Sequence, residues 1–351
     1  MNHSTISRRT VLTAATAALG SAALARMLHA AEGEAKSAGP WKGLHLCISS
    51  DSGLKTLAEQ APKLADVGVN VAVIEVNYAF DFKSHPELSD GGKVTAKQAK
   101  ATAVACREKG IRLIPGFNCL GHQSWKKATF PLLKKYPELD ETPGKYPDNQ
   151  GIYCRSWCPR HPQVNGIVFA LLDELVDAFD ADAIHVGMDE VFFVSSEFCP
   201  RCKGTDPADS FAKAVNDIHG HVTGMRKLQM LMWGDRLLDG KATGYGEWEA
   251  SKNGTQAAID KIPKDIIICD WHYEKREEYP SVPLLLKKGF RVWPCGWKNV
   301  AATVALRDFA KKQGDEKMIG HLCTTWGSVA VDKLAEWPPV VEGIGKGGSA
   351  E

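Results

Sequence analysis

Two adjacent carboxylates, Asp189 and Glu190, follow the segment 183–186 after only Gly187 and Met188. That segment predicts a short buried strand, so both acids would stand at a strand end. Neighbouring anions repel each other and apolar surroundings disfavour ionisation, so we expect at least one carboxyl of the pair to have a raised pKa. The alternative is a solvated loop that carries two surface acids. Folds keep such pairs mainly where proton transfer or charge stabilisation uses them, and the pair therefore predicts a catalytic site.

The chain around this pair alternates eight times between apolar, β-branched segments and helix-like segments. This order predicts a parallel sheet buried on both faces, and eight units predict an α/β fold of the (β/α)8 or TIM-barrel class. An open doubly wound sheet is the alternative, but its Gly-rich phosphate turn is missing from the sequence. A long loop is expected at 136–150. The predicted strands are 43–49, 70–76, 111–117, 183–186, 228–233, 266–271, 290–295 and 318–324, and the predicted helices are 54–66, 96–109, 163–179, 209–227, 255–262, 282–288 and 301–313, with a last helix from Val329.

The first 31 residues have the pattern of a twin-arginine export signal. Ser7-Arg8-Arg9 precedes a run of small and apolar residues and then Ala30-Ala31, and this is the order of charged, apolar and small-residue regions in such signals. The apolar run is shorter than the ~20 residues that a membrane span needs. We expect export to the periplasm or beyond, cleavage near Ala30 or Ala31, and no membrane span in the mature chain. A linker at 32–41, one barrel domain at 42–342 and a disordered tail at 343–351 would follow.

The charges are balanced, with 43 Lys and Arg against 42 Asp and Glu. Removal of the export signal would leave a net charge of about −2. No basic excess suggests a nucleic acid or an anionic membrane as partner. The oligomeric state stays open.

Polar and aromatic side chains gather where the predicted strands end, which is where TIM barrels place their chemistry. Ring faces pack against the C–H surfaces of a pyranose, and carboxylates bind its hydroxyls, so the pattern predicts a sugar pocket. For any single Trp or His, a place in the core is the alternative, and Asp235 could instead pair with Arg236. Beside Asp189 and Glu190, the candidates are Asp81, His122, His185, Trp233, Asp235, Trp271, Tyr273, Trp297 and Trp326.

Ten cysteines divide into two groups. Six lie in apolar segments and are expected to be buried as small hydrophobic residues: Cys47, Cys106, Cys119, Cys269, Cys295 and Cys323. The other four, Cys154, Cys158, Cys199 and Cys202, lie in polar loops. They could form a zinc knuckle, a disulfide or free thiols, because a single Cys-x-x-Cys does not distinguish these states. No other metal or cofactor is expected.

The segment His185-Val186-Gly187-Met188-Asp189-Glu190 resembles the His-x-Gly-x-Asp-Glu hallmark of glycoside hydrolase family 20, the β-N-acetylhexosaminidases. The stretch from Ile114 to His122 is similar to the family's strand that ends in Pro-Gly-His, with Leu120 in place of the proline. Met232-Trp233-Gly234-Asp235 and Trp326 are similar to segments after the fifth and eighth strands. The resemblance covers roughly residues 42–330.

This resemblance implies retaining removal of a β-linked N-acetylhexosamine, with the substrate's acetamido group as nucleophile. Glu190 would act as general acid and then as base, while Asp189 would orient the acetamido N–H and stabilise positive charge. The four Trp candidates would line the pocket. His122 and His185 would hold the acidic pair by hydrogen bonds, and Asp81 and Asp235 would bind sugar hydroxyls.

Two positions depart from the family pattern. No Arg follows the first strand at 46–51, and no Tyr follows the seventh at 295–298, where Tyr273 from the sixth strand could substitute. We therefore expect a divergent, single-domain member that acts on a glycan or amino-sugar glycoside. One alternative is a retaining glycosidase with Asp235, Glu247 or Glu274 as protein nucleophile. The other is a barrel that binds glycans without catalysis.

Overall fold

The protein is described by a computed structural model over residues 39–344. Eight parallel strands follow one another around a closed barrel, and the eighth pairs with the first, with Trp41 opposite Gly320. This arrangement confirms the predicted (β/α)8 class. The strands are β1 (Trp41–Cys47), β2 (Val71–Glu75), β3 (Arg112–Cys119), β4 (Ala183–Gly187), β5 (Gln229–Trp233), β6 (Ile267–Trp271), β7 (Arg291–Gly296) and β8 (Gly320–Thr324).

Most of the connections between strands are α-helices. They are α1 (Asp51–Asp66), α2 (Ala96–Glu108), α3 (Val164–Phe179), α4 (Pro207–His219), α5 (Ser281–Lys287) and α6 (Val300–Lys311), and α7 (Pro338–Ile344) follows β8. Two short α-helices, Pro131–Lys135 and Gly240–Thr243, also lie within connections. Three predicted helices differ from the structure. The helix expected at 209–227 ends at His219 and continues as the π-helical turn Gly220–Met225, the one at 255–262 is the 3-10 helix Thr255–Asp260, and the last begins as the 3-10 helix Val331–Glu336.

Side-chain caps fix where several helices begin. Ser50 accepts a hydrogen bond from the Gly53 N–H, so α1 starts at Asp51, three residues before the apolar pattern suggested. Thr95 caps α2 and Asn299 caps α6 in the same way. Each such cap satisfies an N–H that the helix itself leaves unpaired.

Two apolar layers hold the barrel. One fills its interior with side chains such as Trp233, Ile267 and Trp293, and the other lies between the strands and the surrounding helices. The interior is tightly filled at Gly43, because a Cβ there would lie 2.0 Å from the Trp293 ring. The barrel is therefore a solid core, and a ligand site must lie at its end.

The ends of the described chain differ slightly from the predicted boundaries. Trp41, placed in the linker by the sequence, begins β1, and Gly343, placed in the tail, lies in α7. The export signal at 1–31 and most of the tail lie outside the described residues. Within residues 39–344, no helix combines the length and hydropathy needed to cross a bilayer.

The polar connections between strands and helices also contain short helical turns. The expected loop at 136–150 contains the single helical turns Pro137–Leu139 and Pro147–Asn149. It belongs to a long connection between β3 and α3, residues 120–163, which we call the first loop. Residues 188–206, between β4 and α4, are called the second loop.

Candidate active site

Asp189 and Glu190 lie at the carboxyl end of β4, where they open the second loop. His122, from the first loop, stands between their side chains. Its Nε2 is 3.1 Å from Asp189 Oδ2 and 3.3 Å from Glu190 Oε2. One imidazole thus contacts both carboxylates.

The charges of this group stabilise one another. Burial disfavours the ionised form of Asp189, but the charge and hydrogen bond of His122 outweigh it and lower the pKa of Asp189. Burial also disfavours imidazolium, yet Asp189 raises the pKa of His122 well above its usual range. At neutral pH Asp189 is therefore an anion and His122 a cation. Repulsion by Glu190 and the apolar strand end therefore do not raise the pKa of Asp189, which stays ionised as expected.

The backbone around the pair is held in an uncommon conformation. Met188, Glu190 and His122 have φ angles of 74°, 49° and 53°. Residues with side chains rarely adopt this left-handed region, and such strain clusters at functional sites. Gly121 allows the two loops to approach each other, because a Cβ there would lie 2.9 Å from the Asp189 carbonyl oxygen.

Asp235, at the end of β5, is bonded to the protein rather than open to a ligand. Its Oδ2 accepts hydrogen bonds from the Glu190 N–H at 2.9 Å and from Arg236 Nε at 2.7 Å, and its Oδ1 accepts one from Trp271 Nε1 at 3.3 Å. Burial raises its pKa to about 6, although Arg236 acts in the opposite direction. Each carboxylate oxygen thus accepts at least one hydrogen bond within the protein. Asp235 pairs with Arg236 and positions Glu190, and its expected role in binding a sugar hydroxyl stays a prediction.

Asp81 is also placed differently from the expectation. Its carboxylate forms an exposed ion pair with Lys83 at 2.5 Å, and its backbone N–H bonds to the Val94 carbonyl. No contact in the described part of the chain connects Asp81 with Asp189 or Glu190. It is not one of the residues that the barrel brings together.

Glu75, the last residue of β2, lies near the acidic pair, since the charges of Asp189 and His122 act on its carboxylate. Its carboxylate accepts hydrogen bonds from Asn77 and Asn118 at 2.8 and 3.1 Å, and it lies 3.3 Å from His45. Burial would raise the pKa of Glu75, but the bond to His45 and its charge lower it. Sequence reasoning missed this residue because it counted Glu75 as an interior strand position. The signal available in the sequence was a carboxylate at the end of an apolar strand.

His185 lies inside the barrel, beneath the acidic pair. Its Nδ1 accepts the Gly187 N–H at 3.2 Å, and its ring centroid is 4.5 Å from that of Trp233. Neither carboxylate of the pair is bonded to it. The expectation that His185 holds the pair by hydrogen bonds is therefore corrected, and it belongs to the packed floor of the site.

Aromatic side chains from β6, β7 and β8 form the opposite wall. Trp271 stacks on Tyr273 with ring centroids 5.0 Å apart, and Trp297 lies 5.2 Å from the same Tyr273 ring. Trp326 donates its Nε1–H to the Tyr273 hydroxyl at 2.7 Å. Trp233 is fully buried and closes the base of this wall, 5.6 Å from Trp326. The five predicted aromatic residues are thus neighbours at one end of the barrel.

Tyr153, in the first loop, contacts Glu190 and was not predicted. Burial and then the charge of Glu190 and a hydrogen bond to it raise the pKa of Tyr153. Its ring lies 4.8 Å from Trp248 and 5.5 Å from Trp125, two side chains that are 43% and 46% exposed. Aromatic residues within polar loops were the only signal in the sequence.

The four loop cysteines do not converge. Cys158, Cys199 and Cys202 are buried together, but the sulfur of Cys154 instead contacts the Glu190 carbonyl oxygen at 3.6 Å. The fourth member of the cluster is Glu141. Of the six cysteines expected to be buried, Cys47 is exposed at the end of β1, and the other five are buried.

Comparison with known proteins identifies the family. Residues 41–332 match the model of "Glycosyl hydrolase family 20, catalytic domain". The chain is 24% identical over 237 residues to the "Beta-hexosaminidase" of Vibrio furnissii, covering 66% of this chain and 35% of that protein. It is 25% identical over 164 residues to the "Beta-hexosaminidase" of Akkermansia muciniphila, covering 46% and 30%. The chain thus spans about a third of the length of these relatives.

Solved structures show the same fold. The chitobiase of Flavobacterium johnsoniae matches with a TM-score of 0.62 and 19% identity, over 87% of this chain and 47% of that one. An exo β-N-acetylglucosaminidase of Vibrio harveyi, in complex with N-acetylglucosamine, matches with a TM-score of 0.61 and 15% identity, over 87% and 53%.

Proposed function

Because the chain belongs to glycosyl hydrolase family 20, we propose that it is a glycosidase that removes β-linked N-acetylhexosamine from a glycan or amino-sugar glycoside. The substrate's own acetamido oxygen acts as nucleophile, and the anomeric configuration is retained. The observation that carries this mechanism is the state of Asp189. One of its carboxylate oxygens bonds His122, while the other, Oδ1, is buried and has no hydrogen-bond partner among residues 39–344.

The open oxygen of Asp189 suits an N–H donor of the substrate. A buried acceptor without a partner costs about 1–3 kcal/mol, and a ligand donor can relieve that cost. The acetamido N–H of a bound amino sugar is such a donor. His122 keeps Asp189 ionised, so the carboxylate also stabilises the positive charge that spreads over the acetamido group as its oxygen bonds to the anomeric carbon.

Glu190 transfers the proton. Its carboxyl group contacts His122 and Tyr153, and its backbone N–H is anchored to Asp235. As the bond from the anomeric carbon to the glycosidic oxygen breaks, Glu190 protonates the leaving oxygen. A water then attacks the anomeric carbon, returns one proton to Glu190 and frees the acetamido oxygen.

The aromatic wall supports binding of the sugar ring. Partly exposed rings of Tyr273, Trp297 and Trp326 offer flat apolar faces to pyranose C–H groups. The Tyr273 hydroxyl accepts a hydrogen bond from Trp326 at 2.7 Å, and its remaining contact, with the Thr324 hydroxyl, is long at 3.5 Å. Its O–H can therefore turn from Thr324 to a substrate acceptor. We assign that O–H to the acetamido oxygen, the role for which the seventh strand lacks a Tyr.

The protein-nucleophile alternative finds less support in the contacts. Both carboxylate oxygens of Asp235 are bonded within the protein. Glu247 is exposed, and the Glu274 side chain is 81% exposed and lies near Arg276. None of the three presents a free carboxylate beside Glu190.

The decisive experiment compares an aryl N-acetyl-β-glucosaminide with the matching aryl β-glucoside, which lacks the acetamido group. We expect hydrolysis of the first only, with a β-configured first product, and a large loss of rate in Glu190→Gln. Efficient cleavage of the plain glucoside would instead favour a protein nucleophile. Binding of N-acetylglucosamine without hydrolysis of any aryl N-acetylhexosaminide would favour the glycan-binding barrel.

We also propose that residues 1–31 direct export through the twin-arginine route. The paired Arg8-Arg9 before an apolar run supports this export route. Cell fractionation of the full chain and of an Arg8→Lys, Arg9→Lys variant tests it. The variant should stay in the cytoplasm, and equal export of both proteins would contradict the proposal.

A further inference from the structure

Three cysteines and one glutamate form a buried cluster between the two loops. Cys158 and Glu141 come from the first loop, and Cys199 and Cys202 come from the second. The Cys158 sulfur lies 3.3 Å from that of Cys202 and 3.4 Å from that of Cys199. The three sulfurs and a Glu141 carboxylate oxygen all lie within 4.8 Å of one another.

The sulfur positions do not match a disulfide. Bonded sulfurs are separated by about 2.05 Å, whereas sulfurs bound to one tetrahedral zinc ion stand about 3.8 Å apart. The separations of 3.3 and 3.4 Å are closer to the second value. Cys158 is also equally near two partners, and a disulfide could use only one of them.

Glu141 supplies a second, independent observation. Its side chain is completely buried, and Oε1 accepts the Ser196 N–H at 2.8 Å. Its Oε2 is buried without an N–H or O–H donor, and only the thiols of Cys199 and Cys202 offer the carboxylate a weak hydrogen bond. No ion pair in the described part of the chain involves Glu141. A carboxylate taken out of water in this way needs a cation or a donor, and its free oxygen lies among three thiols.

We propose that Glu141, Cys158, Cys199 and Cys202 bind one zinc ion in a closed tetrahedral site. Thiolates and a carboxylate are zinc ligands, and Cys199-Pro200-Arg201-Cys202 has the spacing of a zinc knuckle. The knuckle is already folded, since the Lys203 N–H bonds to the Cys199 carbonyl at 2.9 Å. Four protein ligands leave no open position for substrate, so the ion has a structural role. Binding releases the thiol protons to solvent.

The zinc ion would fasten together the two loops that build the acidic half of the active site. Between Glu141 and Cys158 the first loop carries Tyr153, which bonds Glu190, and Glu190 itself lies near the start of the second loop. Besides the metal ligands, the Ser196 N–H to Glu141 bond joins the loops near the cluster. Loss of zinc should therefore loosen the contact between Tyr153 and Glu190 as well as lower stability.

Metal analysis of the purified full chain tests the site directly. The protein should be prepared without chelators or a histidine tag, and its metals measured by mass spectrometry. We expect about one zinc per chain. Cys199→Ser and Cys202→Ser should each lose most of it, while Cys106→Ser, a buried cysteine in α2, should keep it.

A second measurement does not depend on the variants folding. The wild-type chain, stripped with a chelator and reloaded with Co²⁺, should show the intense near-ultraviolet thiolate-to-cobalt absorption of a tetrahedral sulfur site. Its thermal stability should fall on stripping and return with zinc. Three results would each overturn the proposal. They are a metal-free protein in which Cys158, Cys199 and Cys202 react as thiols, a mass about two hydrogens lower because a disulfide has formed, and zinc retained in both knuckle variants.

Discussion

The two halves of the barrel mouth are built from different interactions. At the ends of β3, β4 and β5, here called the charged half, His122, Asp189, Glu190 and Asp235 are joined by buried ion pairs and hydrogen bonds. At the ends of β6, β7 and β8, here called the aromatic half, rings stack and share indole N–H bonds. The first half is held together by charges and the second by ring packing, and each half contains both buried and partly exposed side chains.

This difference separates reaction chemistry from sugar recognition. Every residue assigned to proton transfer or charge stabilisation lies in the charged half, where removal of one partner leaves another buried and unpaired. The departures from the family pattern fall elsewhere, at the ends of β1 and β7. We therefore expect the mechanism to be that of the family and the contacts that bind the sugar to differ.

The largest effect is expected from breaking the buried ion pair that supports the charged half. In Arg236→Met, the ionised Asp235 would remain buried without its cation, at a cost of about 3–5 kcal/mol in unfolding free energy. Because burial raises the pKa of Asp235 to about 6, much of that carboxyl is neutral below this pH, and the loss should shrink there. Denaturant unfolding on either side of pH 6 measures both effects.

Lys83→Met is the matched control, since it removes an exposed ion pair with Asp81. Its unfolding free energy should change by less than about 1 kcal/mol. Equal losses of unfolding free energy in the two variants would show that the buried pair contributes no more to stability than the exposed pair.

The next effect is on catalysis. Asp189→Asn replaces the anion that stabilises the developing positive charge, so kcat for an aryl N-acetyl-β-glucosaminide should fall about 10²–10³-fold with a smaller change in KM. Trp297→Phe, in the aromatic half, should change KM more than kcat. A larger fall in kcat for Trp297→Phe than for Asp189→Asn would contradict the assignment of catalysis to the charged half and of sugar binding to the aromatic half.

A smaller, pH-dependent effect is expected from His122→Gln. The pKa of His122 is raised in the folded protein, so its contribution to stability is fully present below the unfolded value near pH 6.5 and is lost as pH rises through the folded pKa. The pKa of Asp189 is lowered, so its contribution is lost as pH falls through that value. In His122→Gln the melting temperature should fall less steeply as the pH rises above neutrality. An equally steep fall in the variant and the wild type would contradict the pairing of His122 with Asp189.

The sequence predicted the barrel well because its strands are nearly continuous apolar segments. It also placed Glu190, Asp189 and His122 at strand ends, since a motif follows each strand directly. It named Asp81 and missed Glu75, because the course of the chain after β2 decides which carboxylate lies near the acidic pair. Glu141 was beyond reach for a similar reason: no spacing rule links it to cysteines that approach only when both loops fold.

The smallest effect tests the aromatic half alone. Trp326→Phe keeps a ring beside Trp233 but removes the N–H that Trp326 donates to the Tyr273 hydroxyl. A neutral hydrogen bond contributes about 0.5–1.5 kcal/mol, so KM should rise about 2–12-fold while kcat changes little.

The Tyr273→Phe variant and the double variant show whether that hydroxyl serves the substrate. If Trp326 acts only by orienting the Tyr273 O–H, then Trp326→Phe should add nothing once the hydroxyl is gone, and the double variant should match Tyr273→Phe. Additive losses for Trp326 and Tyr273 would mean that the two residues contact the sugar separately. Such a result would leave the acetamido oxygen without the donor that the aromatic half is proposed to provide.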